Sequence, residues 1–120
     1  MTQTMTKLEG AVLEAMLVDP CLLPLRRHLD PLDPPRIVER NFSDVGFLSN
    51  FARDGAAKLF ADDVSIRWGS VLGRINSSLD VDFVVYVDGG YVNCIEGVTF
   101  GGELWPSTIE SFQLTKISRS

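Results

Sequence analysis

The sequence predicts an α+β fold: an N-terminal helix, or two short helices, packed on a bent antiparallel β-sheet of about five to seven strands. Three observations predict it. Apolar residues recur at helical spacing only in the first third of the chain. Short β-branched and aromatic runs separated by turn residues dominate the rest. Between the two regions lie Pro31, Pro34 and Pro35, which neither a regular helix nor a central strand accommodates. The 120 residues therefore read as one domain, with a helical segment over 1–30, a stiff connector over 31–35 and a β-rich part over 36–120. A chain of this size buries roughly two thirds of its unfolded surface, enough for a core without staples.

Thr6 followed by Glu9 forms a capping box, in which the hydroxyl takes the Glu9 amide and the carboxylate returns to the Thr6 amide. Leu8, Ala11, Val12, Ala15 and Met16 then make the apolar stripe, with Glu9 and Glu14 off it. Asp19-Pro20 ends the helix, because a residue before proline is pushed out of the α region. A second segment, 21–29, has room for one or two turns, with Pro24 tolerated near its start.

In the β-rich part, strands over 37–42 and 45–51 flank a turn at Ser43-Asp44, and 64–68 and 71–75 flank a hairpin candidate at Gly69-Ser70. The segment 56–60 is too short to classify. The clearest hairpin joins 83–87 to 91–96 through Asp88-Gly89-Gly90, since Asp-Gly or Gly-Gly supplies the positive φ of a primed turn. Either turn register puts Phe83, Val85, Val87, Val92 and Cys94 on one apolar face, and Glu96 falls on that face too. A last strand, 111–117, alternates Phe112 and Leu114 with polar Gln113 and Thr115. Seven glycines between Gly69 and Gly102 favour bends and bulges over a flat sheet.

The composition, 45% hydrophobic and 22% charged, is that of a folded globular chain and excludes disordered, collagenous and disulfide-scaffold classes. A net charge of -5 argues against nucleic acid or an anionic membrane as partner, each of which calls for a basic footprint. The N-terminus lacks the pattern of a secretory signal, and no apolar run is long enough to span a bilayer. Cys21 and Cys94 form no CxxC pair and read as two buried, reduced thiols of a cytoplasmic protein.

No catalytic constellation is legible. His28 is the single histidine and reads as a solvated side chain beside Arg26-Arg27, without metal-ligand spacing around it. Asp62-Asp63 and Asp80-x-Asp82 lack the further oxygens of a calcium loop. No glycine pattern makes a phosphate cradle, and no serine sits in a nucleophile elbow. No cofactor and no metal is expected. One stretch stands apart: residues 88–106, where Glu96 on an apolar face calls for a positive partner or several N–H donors. A pinned turn, with Glu96 accepting from the following glycine-rich loop and Trp105-Pro106 covering the sheet end, is the structural reading. A partner or ligand site built from Arg40, Tyr91, Glu96, Phe100 and Trp105 is the functional one.

Asp88-Gly89 before a strand, then Ile95-Glu96-Gly97-x-Thr99-x-Gly101 and Trp105-Pro106, resembles a group of small, mostly uncharacterised bacterial proteins of similar length. The same group tends to carry an upstream segment like Val38-Glu39-Arg40-Asn41-Phe42-Ser43-Asp44-Val45-Gly46-Phe47, so the likeness covers about residues 36–106. It implies no activity and no catalytic residue. The second glycine of Asp88-Gly89-Gly90 departs from the group's turn.

These readings converge on a non-enzymatic, cytoplasmic, protein-binding module. Tyr86, Tyr91, Phe100 and Trp105 are favoured interface anchors, and the acidic charge suits a basic partner. Size and acidity fit an immunity-type partner of a toxin. The alternative is a small-ligand-binding protein or enzyme with its site at the loop from Glu96 to Trp105, using Arg40 or Arg74 as the charged mate of Glu96. A third reading is a homo-oligomer joined through the last strand, should that strand lie at an edge.

Overall fold

A computed structural model describes residues 2–53 and 56–116. Among them, seven strands form one antiparallel sheet: β1 (Gln3–Thr4), β2 (Arg36–Ser43), β3 (Gly46–Phe51), β4 (Ile66–Ile75), β5 (Leu79–Asp88), β6 (Tyr91–Thr99) and β7 (Phe112–Lys116). Their spatial order is β1-β2-β3-β6-β5-β4-β7. Helix α1 (Lys7–Met16) and a 3-10 helix (Pro20–Leu29) cover one face, and a short 3-10 turn (Phe100–Gly102) follows β6. The fold is α+β with a bent antiparallel sheet, as the sequence predicts.

The capping box closes as read: Glu9 N–H donates to Thr6 Oγ1 at 3.1 Å and Thr6 N–H to Glu9 Oε1 at 2.8 Å. Leu8, Val12, Leu13, Ala15 and Met16 face the sheet and are buried, each large side chain worth about 1.5–3 kcal/mol of transfer free energy. The second helical segment is a 3-10 helix of ten residues, capped by Asp19, whose carboxylate accepts the Cys21 amide at 2.8 Å. Pro24 inside it has no amide hydrogen to continue an α-helical ladder. Beneath the helices lie Ile37, Val71, Ile75, Val81, Phe83, Val85 and Ile95.

Several expectations change. Gly69-Ser70 is not a hairpin turn: β4 runs through it with a register shift between Trp68 and Val71. The turn comes later, at Asn76-Ser77 between paired Ile75 and Leu79, where both residues take positive φ, 52° and 66°. Neither residue is glycine, so that turn carried no strong signal. The β2–β3 turn is Asp44-Val45, one residue later than expected, with Ser43 opposite Gly46. The two-residue strand β1, which no run of residues announced, pairs with the start of β2.

The hairpin between β5 and β6 uses Gly89-Gly90 at φ 58° and 85°, with Asp88 opposite Tyr91 and Val87 opposite Val92. The register then shifts: Tyr86 lies opposite Cys94, so Asn93 is an extra residue on β6. A bulge of this kind inverts the facing of everything beyond it. Phe83, Val85, Val87 and Val92 stay in the core, whereas Cys94 and Glu96 turn to the face opposite the helices, and Ile95 takes the core position.

His28 is also corrected. It is buried rather than solvated, and its ring stacks on Phe51 with centroids 5.8 Å apart. Of the two thiols, both free, Cys94 is buried and Cys21 is exposed. Strand β7 lies at a sheet edge; residue 117, assigned to it by the sequence, lies outside the described residues.

Candidate functional site

The five residues singled out by the sequence occupy three places. Arg40, on β2, points to the helix side and meets Glu9 of α1. Its Nη2 donates to Glu9 Oε1 at 2.7 Å and its Nε to Glu9 Oε2 at 2.9 Å. Ser49 Oγ donates to the same carboxylate, and Arg40 Nη1 reaches Gln3 Oε1 at 2.8 Å. Burial alone pushes the Glu9 carboxyl up, but the bonds from Arg40, Ser49 and the Thr6 amide outweigh it and hold the group below its ordinary value. This charged pair joins helix to sheet and is not available to a ligand. Glu9, read from its spacing as lying off the apolar stripe, is the carboxylate that is nearly sealed from water.

Glu96 sits on the opposite face. It accepts from Tyr86 Oη at 3.2 Å, while Arg67 Nε donates to the same phenol oxygen at 3.2 Å. Its cationic neighbour is thus Arg67, acting through Tyr86. Arg40 is bound to Glu9, and Arg74 donates to Asp80 at 2.9 Å. The expected backbone donors from the glycine-rich loop do not reach Glu96. Next to it, burial and the Glu96 charge push the Cys94 thiol up to about 11, so it stays protonated at neutral pH and is a poor nucleophile. Tyr91, at the far end of β6, lies under the Arg53 guanidinium, 4.3 Å from the ring centre.

Phe100 and Trp105 belong to the end of the sheet where β2, β3 and β6 meet their loops. Trp105 packs against Phe47 with centroids 5.2 Å apart, and its amide donates to the Asp44 carbonyl at 2.7 Å. It covers the sheet end, as expected. Around it the surface is apolar and open: Phe42 is 65% exposed and Leu104 73%, with Phe100 and Val98 also exposed. Phe42 borders a hollow shared with Leu104, Trp105 and Pro106, and a groove of about 650 Å³ running past Trp105 and Ile109 to the first turn of α1. A third hollow links Phe42 to Val98 and Glu96. Acidic Asp44, Glu103 and Glu110 are exposed around this patch, with Lys7 across the groove.

Sequence reasoning missed Phe42 and Leu104 as site residues. Phe42 read as an ordinary strand member; the signal available was its place next to a two-residue turn, where a side chain on the helix side of the sheet runs past the end of the covering helix. Leu104 carried none. No family model, no curated protein and no solved structure matches the chain.

Proposed function

We propose that the chain is a non-enzymatic protein-binding module whose contact surface is the sheet end around Phe42, Phe100, Leu104 and Trp105. The observation that carries this reading is the exposure of Phe42 and Leu104 side by side around a half-buried tryptophan. Single exposed apolar residues are ordinary, whereas an adjoining set bordered by polar groups is the make-up of an interface core and rim. The rim acids Asp44, Glu103 and Glu110, with a net charge of -5, favour a partner presenting basic residues around an apolar anchor. A basic toxin held by an immunity-type protein is the narrower form of this reading.

Photo-crosslinking in the native host tests it. A benzoylphenylalanine at Leu104 is expected to capture one stoichiometric basic protein. The same probe at Leu32, 91% exposed at the opposite end of the sheet, is expected to capture none. Phe42→Asp should abolish the capture while changing stability by no more than about 0.5 kcal/mol, the usual range for a surface site. Equal capture from both positions, or undiminished capture with Phe42→Asp, overturns the reading.

A further inference from the structure

The sheet has a second face. Helix α1 and the longer 3-10 helix lie on one side of it, and neither covers the other. The bulge at Asn93 decides what that other side shows. One row of residues crosses it from strand to strand: Glu39 on β2, Asn50 on β3, Cys94 on β6, Tyr86 on β5 and Arg67 on β4. An acid stands at one end, a base at the other, and Cys94 in the middle. Four strand spacings put the ends about 19 Å apart, so Glu39 and Arg67 do not meet within one molecule.

Both ends of the row are exposed, and neither forms an ion pair among the described residues. Glu39 Oε1 takes amide donors, Asn41 Nδ2 at 2.9 Å and Asn50 Nδ2 at 3.3 Å. Arg67 uses its Nε on the Tyr86 phenol and leans over that ring, 5.8 Å from its centre. Glu96 and Asp82 act on it from the same face. Further along the strands, Arg74 and Asp80 hold each other at 2.9 Å. Between the charges the surface is partly apolar. Val84 and Cys94 are buried in it, Leu48 and Leu72 are half-buried, and Val98 is exposed.

We propose that this face is the contact surface of a symmetric dimer, its occupant a second copy of the chain. A two-fold axis in the plane of the face, parallel to β6, carries β2 of one copy over β4 of the other and β3 over β5. The row then meets its own reverse. Glu39 lies over Arg67 of the second copy, Asn50 over Tyr86, and Cys94 over Cys94 at the axis. In the next row Leu48 lies over Val84 of the second copy. Every contact off the axis occurs twice, as an isologous interface requires. Sheets stacked in this way keep their strands nearly aligned, which twisted sheets accommodate. The same axis brings the two Glu96 carboxylates toward each other, and that like-charge contact keeps the dimer weak. The face uses none of Phe42, Phe100, Leu104 and Trp105, so the dimer is independent of the interface proposed above.

Sedimentation equilibrium of the full chain, from micromolar to millimolar concentration, tests the proposal. A monomer–dimer equilibrium is expected. Glu39→Arg and Arg67→Glu should each weaken it by about tenfold or more, since each turns two attractive pairs into like-charge contacts. The double variant, with the charges exchanged, should recover most of that loss. Glu96→Gln should tighten the dimer by removing the repulsion at the axis, and Phe42→Asp should leave it unchanged. Thermal melts followed by circular dichroism establish that each variant folds. Should Arg67→Glu upset the Tyr86 bond and the fold with it, Glu39→Arg alone carries the test. A chain monomeric throughout, a dimer indifferent to Glu39→Arg, a folded double variant no stronger than its single parents, a dimer weakened by Glu96→Gln, or one abolished by Phe42→Asp overturns the proposal.

Discussion

Glu9 is a charge taken out of water by its own helix. A buried carboxylate is costly unless its oxygens are filled, and here Arg40, Ser49 and the Thr6 amide fill them. Removing one partner leaves the other charge stranded. Arg40→Leu should therefore lower stability by about 3–5 kcal/mol, and adding Glu9→Leu should restore part of it. Chemical denaturation of the single and double variants measures both. The sign of the pH dependence follows. The folded pKa of Glu9 lies below its ordinary 4.5, so its contribution is complete above that value and is lost as pH falls through the folded one. A Glu9→Gln protein should lack that acid-limb slope. His28 acts one step higher: its folded pKa lies below 6.5, so the unfolded chain takes up the proton first and stability declines as pH falls below about 6.5. His28→Phe should flatten that portion of the stability–pH curve. The thiols give a third check. Exposed Cys21 should alkylate readily at neutral pH, while Cys94, pushed up to about 11, should remain unmodified until the protein unfolds. Mass spectrometry of a timed iodoacetamide reaction reads both sites.

At the scale of elements, the bulge on β6 decides what faces what. Asn93→Ala keeps the extra residue and should be tolerated, since the side chain is exposed. Deleting Asn93 would restore plain alternation, drive Cys94 and Glu96 into the core and swing Ile95 out. The deletion variant should fail to give a cooperative thermal transition. The hairpin beside it needs its glycines for two reasons. Gly89 is open around its α-carbon but takes φ 58°, whereas a Cβ on Gly90 would also strike the carbonyls of Phe60 and Ala61. Gly89→Val should cost about 1–3 kcal/mol for the backbone conformation alone, and Gly90→Ala should match or exceed it. The capping box, the Gly-Gly hairpin and the proline connector were readable in the sequence, because each has a local cause in one or a few residues. The bulge was not, because Asn93 becomes an extra residue only through pairing with β5. The Asn76-Ser77 turn escaped for a related reason: two non-glycine residues take positive φ, and Asn76 is pinned there by bonds with Thr108, Glu110 and Ser111, more than thirty residues on.

Over the whole molecule, the α+β class and the sheet were legible because they follow from where apolar periodicity changes along the chain. The site was legible only in part. Phe100 and Trp105 lie within the proposed interface, yet Arg40 and Tyr91 are claimed by Glu9 and Arg53, partners that sequence distance conceals. Phe42 reads as an ordinary strand member, and its exposure is visible only in the folded chain. The charge distribution carries a testable consequence at this scale. With an acidic rim around the proposed interface, association with a basic partner should slow as salt is added, while dissociation changes little. Stopped-flow association at two ionic strengths distinguishes this from a purely apolar contact, for which the on-rate stays flat.

The strand order also has a consequence in time. Strands β2 and β3 form a hairpin and β4 to β6 a meander, and the two halves meet where β3 pairs with β6. The hairpin and the meander each close short loops, whereas the join waits on a much longer one. At that join Gly46 faces the β6 backbone so closely that a Cβ would run into the Gly97 carbonyl. If the halves assemble first and dock afterwards, Gly46→Ala accelerates unfolding and leaves the refolding rate nearly untouched, whereas Gly89→Val, inside one meander, slows refolding. Each half would then be an early-forming unit, and the docking of β3 onto β6 the late step that completes the sheet.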